Sequence, residues 1–251
     1  MKYKQLIKKS LELRQKTFLQ FISKKEAHLG GSFSIIEILI TLYEKVLKKN
    51  DKFILSKSHA SFPFILILKE KGLNPKLTTH LEIDTKNGIY CTTGSLGHGL
   101  PISTGMALAR KKMKQSGNIY VLISDGECQE GTTWESFLIA SKHNLNNLKV
   151  IIDYNKIQAL SKLQDALPLN SLSKKIKAFN WNCIEIKKGH NFFDLVKGLN
   201  KKILNNKPTA FIIHTTKGKG IKPFENDTSW HAKKVKGDDI EIGYKYLEIE
   251  N

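Results

Sequence analysis

Three runs of aliphatic and β-branched residues limit this chain more than any other feature: IYVLIS at 119–124, LKVIID at 148–153 and TAFIIHT at 209–215. Each is short and almost continuously apolar, the pattern of a strand buried on both faces. Stretches with helical spacing lie between and around them, over about 98–115, 129–144, 171–179 and 191–205, and CIEI at 183–186 adds a further strand. Such alternation predicts an α/β fold, a parallel sheet flanked by helices and joined by right-handed crossovers. Upstream, helical patterns cover 2–22, 35–47 and 60–72, while FILS at 53–56 reads as a strand. Residues 73–97 have no clear period and read as a long loop, a length that usually carries function. With no repeat or linker, the chain is expected to form one domain over 1–251, its core at about 10–235 and a tail at 236–251.

Composition removes several function classes. No apolar run nears the ~20 residues of a membrane span, and the basic N-terminus lacks a continuous apolar core and a small-residue cleavage site. Cys91, Cys128 and Cys183 are few, odd in number and far apart, so zinc and a disulfide framework are poorly supported. A cytoplasmic protein is expected. The net charge of +18 raises nucleic-acid binding. However, only Arg14 and Arg110 of the 41 basic residues are arginines, and no basic stretch is interleaved with aromatics. The charge therefore reads as lysines on solvated helix faces, with some able to attract a phosphorylated substrate.

The chemistry concentrates in ISDGECQEG, 123–131. A buried strand ends at Ser124, so Asp125 and Gly126 lie where ligands bind in open parallel sheets. Gly126 lets backbone approach a ligand, and the following helix points amides at an anion. A carboxylate beside an anion calls for a cation between them, and a hard ion such as Mg²⁺ or Ca²⁺ fills that role. An ordinary strand-to-helix turn with Asp as a cap explains the segment alone equally well. The next strand, however, leads into DYNKIQ at 153–158, which puts Asn155 at the same sheet edge. A carboxylate, an amide oxygen and a backbone carbonyl on adjacent loops make an oxygen-only dication site. A generic nucleotide site stays open, although neither G-x-G-x-x-G nor a Walker A stretch is present, and KGKG at 217–220 lacks the phosphate-loop spacing.

An Asp-Gly after a strand, followed thirty positions later by Asn, is similar to the thiamine diphosphate motif. Further segments narrow the resemblance to transketolase: AHLGGSFSIIEILITLY (27–43), LSKSHASFPFILILKEKG (55–72), CTTGSLGHGLPISTGMALA (91–109) and WHAKK (230–234) after TTKGKG. The resemblance runs from about 10 to 235. It implies that Asp125, Asn155 and the Ile157 carbonyl hold the metal. It implies that His59, Gly94, Leu96, Gly126, Glu127 and Asn155 meet thiamine diphosphate, and that His28, His80 and His231 line the substrate channel as proton carriers. Glu130 looks like the family's acidic residue at the contact between catalytic halves. His143, His190 and His214 are left without a role.

The chain departs from the family pattern at Ser124, Ala27 and Ser58, each where glycine is usual, at His98, where glutamine is common, and around His80, which lacks Gly-His-Pro. These put substrate identity in doubt more than cofactor binding. Nothing in the sequence resembles the family's pyrimidine-binding domain, which supplies the glutamate that activates the cofactor. The expectation is the N-terminal subunit of a split transketolase, inactive without a C-terminal partner, forming an α₂β₂ assembly that acts on sugars or sugar phosphates. Neither nucleic acid nor a membrane is an expected partner. The rival readings are a deoxyxylulose-phosphate synthase-like or 2-oxo acid dehydrogenase-like subunit, and a catalytically silent cofactor-binding partner.

Overall fold

In a computed structural model, residues 3–159, 161–203 and 205–250 are described. Five strands, β1 (Lys52–Leu55), β2 (Ile119–Ser124), β3 (Leu148–Tyr154), β4 (Asn182–Ile186) and β5 (Thr209–His214), form one sheet in the order β1-β2-β3-β5-β4. Every pairing is parallel. The strands read as continuous apolar runs, β2, β3 and β5, are the three central ones, covered on both faces. Alternate residues of each strand feed two cores. Phe53, Leu55, Tyr120, Leu122, Ile151, Phe211 and Ile213 face one. Ile54, Val121, Ile123, Val150, Ile152, Ala210 and Ile212 face the other. This period of two splits an all-apolar strand between two helical layers.

The helices are α1 (Lys4–Lys24), α2 (Leu29–Phe33), α3 (Ile36–Thr41), α4 (Ser61–Glu70), α5 (Gly99–Lys112), α6 (Gly131–Lys142), α7 (Leu163–Ala166), α8 (Leu172–Ala178), α9 (Phe192–Leu199) and α10 (Asp238–Leu247). Residues of α1, α3, α4, α9 and α10 join the first core, and residues of α5, α6 and α8 join the second. None of the described helices is long and apolar enough to cross a membrane.

Two departures from the sequence reading matter. The helix expected over 35–47 is preceded by α2, and the two are interrupted at Ser34–Ile35. There the Ser34 hydroxyl donates to the Asp153 carboxylate at 2.7 Å, tying the break to the end of β3. Residues 236–251, expected as a tail, carry α10, which packs on α1, and Gln15 Nε2 donates to the Leu247 carbonyl at 2.8 Å. A Cβ on Gly243 would lie 1.9 Å from Cζ of the fully buried Phe18. Gly243→Ala is expected to destabilise the chain by about 1–3 kcal/mol through overpacking, read by urea denaturation. A variant as stable as wild type would mean that α10 is not docked.

Candidate active site

The carboxyl ends of β1, β2, β3 and β5 converge on a cavity of about 250 Å³, with Gly31, Lys57, His59, Asp125, Asn155, Lys217 and His231 in its wall. The register explains this convergence. Ser124 pairs with Asp153, and the Asp125 N–H donates to the Asp153 carbonyl at 3.2 Å. Asp125 thus leaves the sheet beside the segment that turns out at Asn155. Its Oδ2 accepts from the Lys156 N–H at 2.6 Å and its Oδ1 from the Gly126 N–H at 2.9 Å. The carboxyl group therefore lies against the peptide bond joining Asn155 to Lys156. Asn155 is fixed at both ends of its amide: Nδ2 donates to Asp153 Oδ2 at 3.0 Å, and Oδ1 accepts from the Ile157 N–H at 3.0 Å.

Asp125 is 2% exposed, and only backbone N–H groups donate to it. Burial and the nearby Asp153 charge push its pKa up to about 7. A hard dication would restore the charged form. Among the described residues, no three His, Cys, Asp or Glu side chains are arranged to hold a metal. A dication here would instead use one carboxylate with amide and carbonyl oxygens, the set formed by Asp125, Asn155 and Ile157, which suits Mg²⁺ or Ca²⁺.

Three imidazoles stand together at the cavity. Ring centroids are 5.4 Å apart for His28 and His59, 5.3 Å for His28 and His231, and 5.4 Å for His59 and His231. Burial, then the Lys217 charge, lowers His231 to about 3. Burial and Lys57 lower His59, and burial and His80 lower His28. All three are neutral at pH 7, each with one ring N–H and one free lone pair. Lys217 Nζ lies 3.0 Å from His231 Nδ1, which assigns the lone pair to Nδ1 and the proton to Nε2. His28 has φ +75°, a strained conformation for a side chain of its size, and its Nδ1 is buried without a partner.

Most of this chain matches one family, described as the transketolase thiamine diphosphate binding domain, over residues 13–250. One of the two subunits of the apulose-4-phosphate transketolase of Actinobacillus succinogenes is 36% identical over 99% of this chain and 98% of its own. The chain belongs to the transketolase family. A second relative, the 6-deoxy-6-sulfo-D-fructose transketolase subunit SqwG of a Clostridium species, is 34% identical over 83% of each chain. Among solved structures, transketolase from Leishmania mexicana matches the fold with a TM-score of 0.85 at 23% identity, over 95% of this chain and 40% of that one. Transketolase from Campylobacter jejuni matches with a TM-score of 0.83 at 22% identity, over 98% and 43%. The chain thus spans about two-fifths of the length of these solved transketolases.

Within this transketolase domain, not every residue expected at the site reaches it. His59, Leu96, Gly126, Asn155, Asp125, Ile157, Glu130 and His231 line the cavity, and His28 joins through its contacts with His59 and His231. His80 is exposed outside the cavity wall, its ring edge packed on Gly94. Glu127 is placed differently from the expectation of cofactor contact. Its buried carboxylate turns inward to accept from the Ser56 hydroxyl at 2.5 Å, the Gly97 N–H at 3.1 Å and the Ser124 N–H at 3.0 Å. Its own N–H is taken by the Ser124 hydroxyl at 3.1 Å. Glu127 therefore ties the 94–97 loop to β1 and β2 behind the wall.

Sequence reasoning missed two lysines. Lys57 is 1% exposed, pairs with the fully buried Asp153 at 2.6 Å, and donates to the Gly31 carbonyl at 3.0 Å. Lys217, also 1% exposed, donates to the carbonyls of Ile157 at 3.3 Å and Gln158 at 3.0 Å. Burial and the Lys57 charge lower its pKa to about 8. The signal available was TTKGKG itself, a lysine set between small residues just beyond a buried strand.

Proposed function

We propose that this chain is the thiamine diphosphate-binding subunit of a two-chain, Mg²⁺-dependent transketolase that moves a two-carbon ketol unit from a ketose to an aldose. The observation that carries the reading is the meeting of Asp125, Asn155 and Ile157 with three neutral imidazoles around one cavity. Asp125, the Asn155 amide oxygen and the Ile157 carbonyl would hold the dication, and Lys217 would face the diphosphate. Bound thiamine diphosphate supplies the carbon nucleophile for which neither half of a ketol transfer has a protein equivalent. This chain's own residues orient the sugar and carry protons. His231, with its proton on Nε2, can donate to a sugar oxygen, while a free lone pair on His28 or His59 accepts one. His80, outside the wall, would meet the distal part of the sugar.

The two-chain assembly is supported by relatives named as transketolase subunits, one of which matches over nearly its whole length. Glu130, exposed at the cavity rim and packed against Gly97, would meet a C-terminal subunit that brings the pyrimidine-binding domain, in an α₂β₂ arrangement. The named relatives act on sugars with a phosphate or sulfo group, which favours an anionic, less common sugar as substrate. The same reading puts the enzyme in the cytoplasm, in keeping with three unpaired cysteines.

The test is a ketose–aldose screen with thiamine diphosphate and Mg²⁺. The chain alone is expected to be inactive, and addition of a C-terminal transketolase subunit from the same genome should restore ketol transfer. Full transfer by the chain alone would refute the two-chain reading.

A further inference from the structure

Lys217 lies at the end of a four-carbon stem, and a flexible stem is a poor way to aim a charge unless the surrounding backbone is fixed. The loop that carries it is gripped on both sides. Before it, the Thr216 N–H donates to His190 Nε2 at 2.8 Å. After it, the Lys219 carbonyl accepts from Arg14 Nε at 2.8 Å. Both gripping side chains meet Glu37. Arg14 Nη2 donates to its two oxygens at 2.6 and 2.8 Å, and His190 Nδ1 stands 2.9 Å from Oε2. Since Nε2 accepts a backbone N–H, the His190 proton sits on Nδ1 and points at Glu37. Burial disfavours the Glu37 carboxylate, yet Arg14 and His190 hold its pKa at about 2.

The loop also docks on α2, where the Gly218 N–H donates to the Gly30 carbonyl at 3.0 Å. A Cβ on Gly30 would come within 3.0 Å of Lys217 Cγ, so glycine there leaves a channel for the stem. Gly220, at φ +107°, packs its Cα face on the Arg14 side chain, where a Cβ would lie 2.7 Å from Nε. The strut is electrically balanced, one guanidinium against one carboxylate, and its polar groups are spent on each other and on the loop backbone. It therefore acts at the site through the loop rather than as a ligand.

We propose that Arg14, Glu37 and His190 are positioning residues that aim the Lys217 ammonium at the diphosphate; this rests on the cofactor reading above. The experiment is a double-mutant cycle on the full-length chain, with magnesium and inorganic diphosphate as the probe, followed by calorimetry. Lys217→Met is expected to weaken binding by about 10- to 100-fold, the worth of a hydrogen bond from a charged donor. His190→Ala should weaken it by about tenfold, as lost outer-shell partners do. On the Lys217→Met background, the same His190→Ala change should cost less than about twofold, because residues acting through one group are not additive. Arg14→Lys keeps the charge opposite Glu37 but loses the Nε bond to Lys219, and should repeat the His190→Ala pattern. Thermal melting of each variant identifies any that fails to fold.

Equal losses for His190→Ala in both backgrounds, or no loss in either, would overturn the positioning role while leaving the diphosphate site intact. Failure of the wild-type chain to bind magnesium diphosphate would overturn the cofactor reading and the positioning role with it.

Discussion

Asp125→Asn is expected to abolish Mg²⁺-dependent thiamine diphosphate binding while leaving the chain folded. Asn keeps the shape and an acceptor for the Lys156 N–H but removes the one carboxylate of the proposed donor set. Losing one partner of a buried charge pair costs about 3–5 kcal/mol, or about 10²- to 10³-fold in affinity. Stability moves the other way. The folded-state pKa of about 7 is raised above the ordinary value, so between the two the folded chain binds more protons than the unfolded one. Metal-free wild type therefore loses stability as pH rises toward 7, and the asparagine variant lacks this loss. Its melting temperature should match or exceed that of metal-free wild type at pH 8, with the gap narrowing as pH falls. Cofactor titration by tryptophan fluorescence, paired with melts at several pH values, checks both halves. Undiminished binding would remove Asp125 from the metal site.

The second large effect is on folding. Asp153 is fully buried and accepts from Lys57, Ser34, Asn155 and the Thr215 hydroxyl. Asp153→Ala leaves the Lys57 ammonium buried with no carboxylate opposite it. The expected loss is about 3–5 kcal/mol, on the order of 10 °C in melting temperature for a chain of this size. Replacing the pair together, Asp153→Leu with Lys57→Met, should recover more than half of that loss, since the uncompensated charge goes too. The double variant should still bind cofactor poorly, because Asp153 sets which end of the Asn155 amide faces the cavity. Calorimetric melts of the three proteins decide the matter. A single variant that melts within a degree or two of wild type would mean that water reaches Lys57.

The sheet was legible because its central strands are buried on both faces, and nothing but a parallel strand in an α/β fold needs runs such as IYVLIS and TAFIIHT. The break at Ser34 was not, since its cause is an acceptor on β3, far along the chain. The closing helix α10 was missed because Lys236, Gly237 and two aspartates hide a short apolar face that only α1 makes useful. At the site, Asp125 and Asn155 could be placed at one rim from spacing alone. Glu127 could not, because the direction of a side chain in a tight turn after a strand depends on what lies behind it. The Arg14–Glu37–His190 contacts span 23 and 153 positions of sequence and carry no local pattern at all.

Lys57 and Lys217, each 1% exposed, belong to a chain whose 41 basic residues include only two arginines and hence 39 lysines. Amine acylation under native conditions should modify the solvated lysines quickly and these two slowly. Their labelling rates, followed peptide by peptide in a mass spectrometer, would report on the state of the cavity without any substrate or turnover.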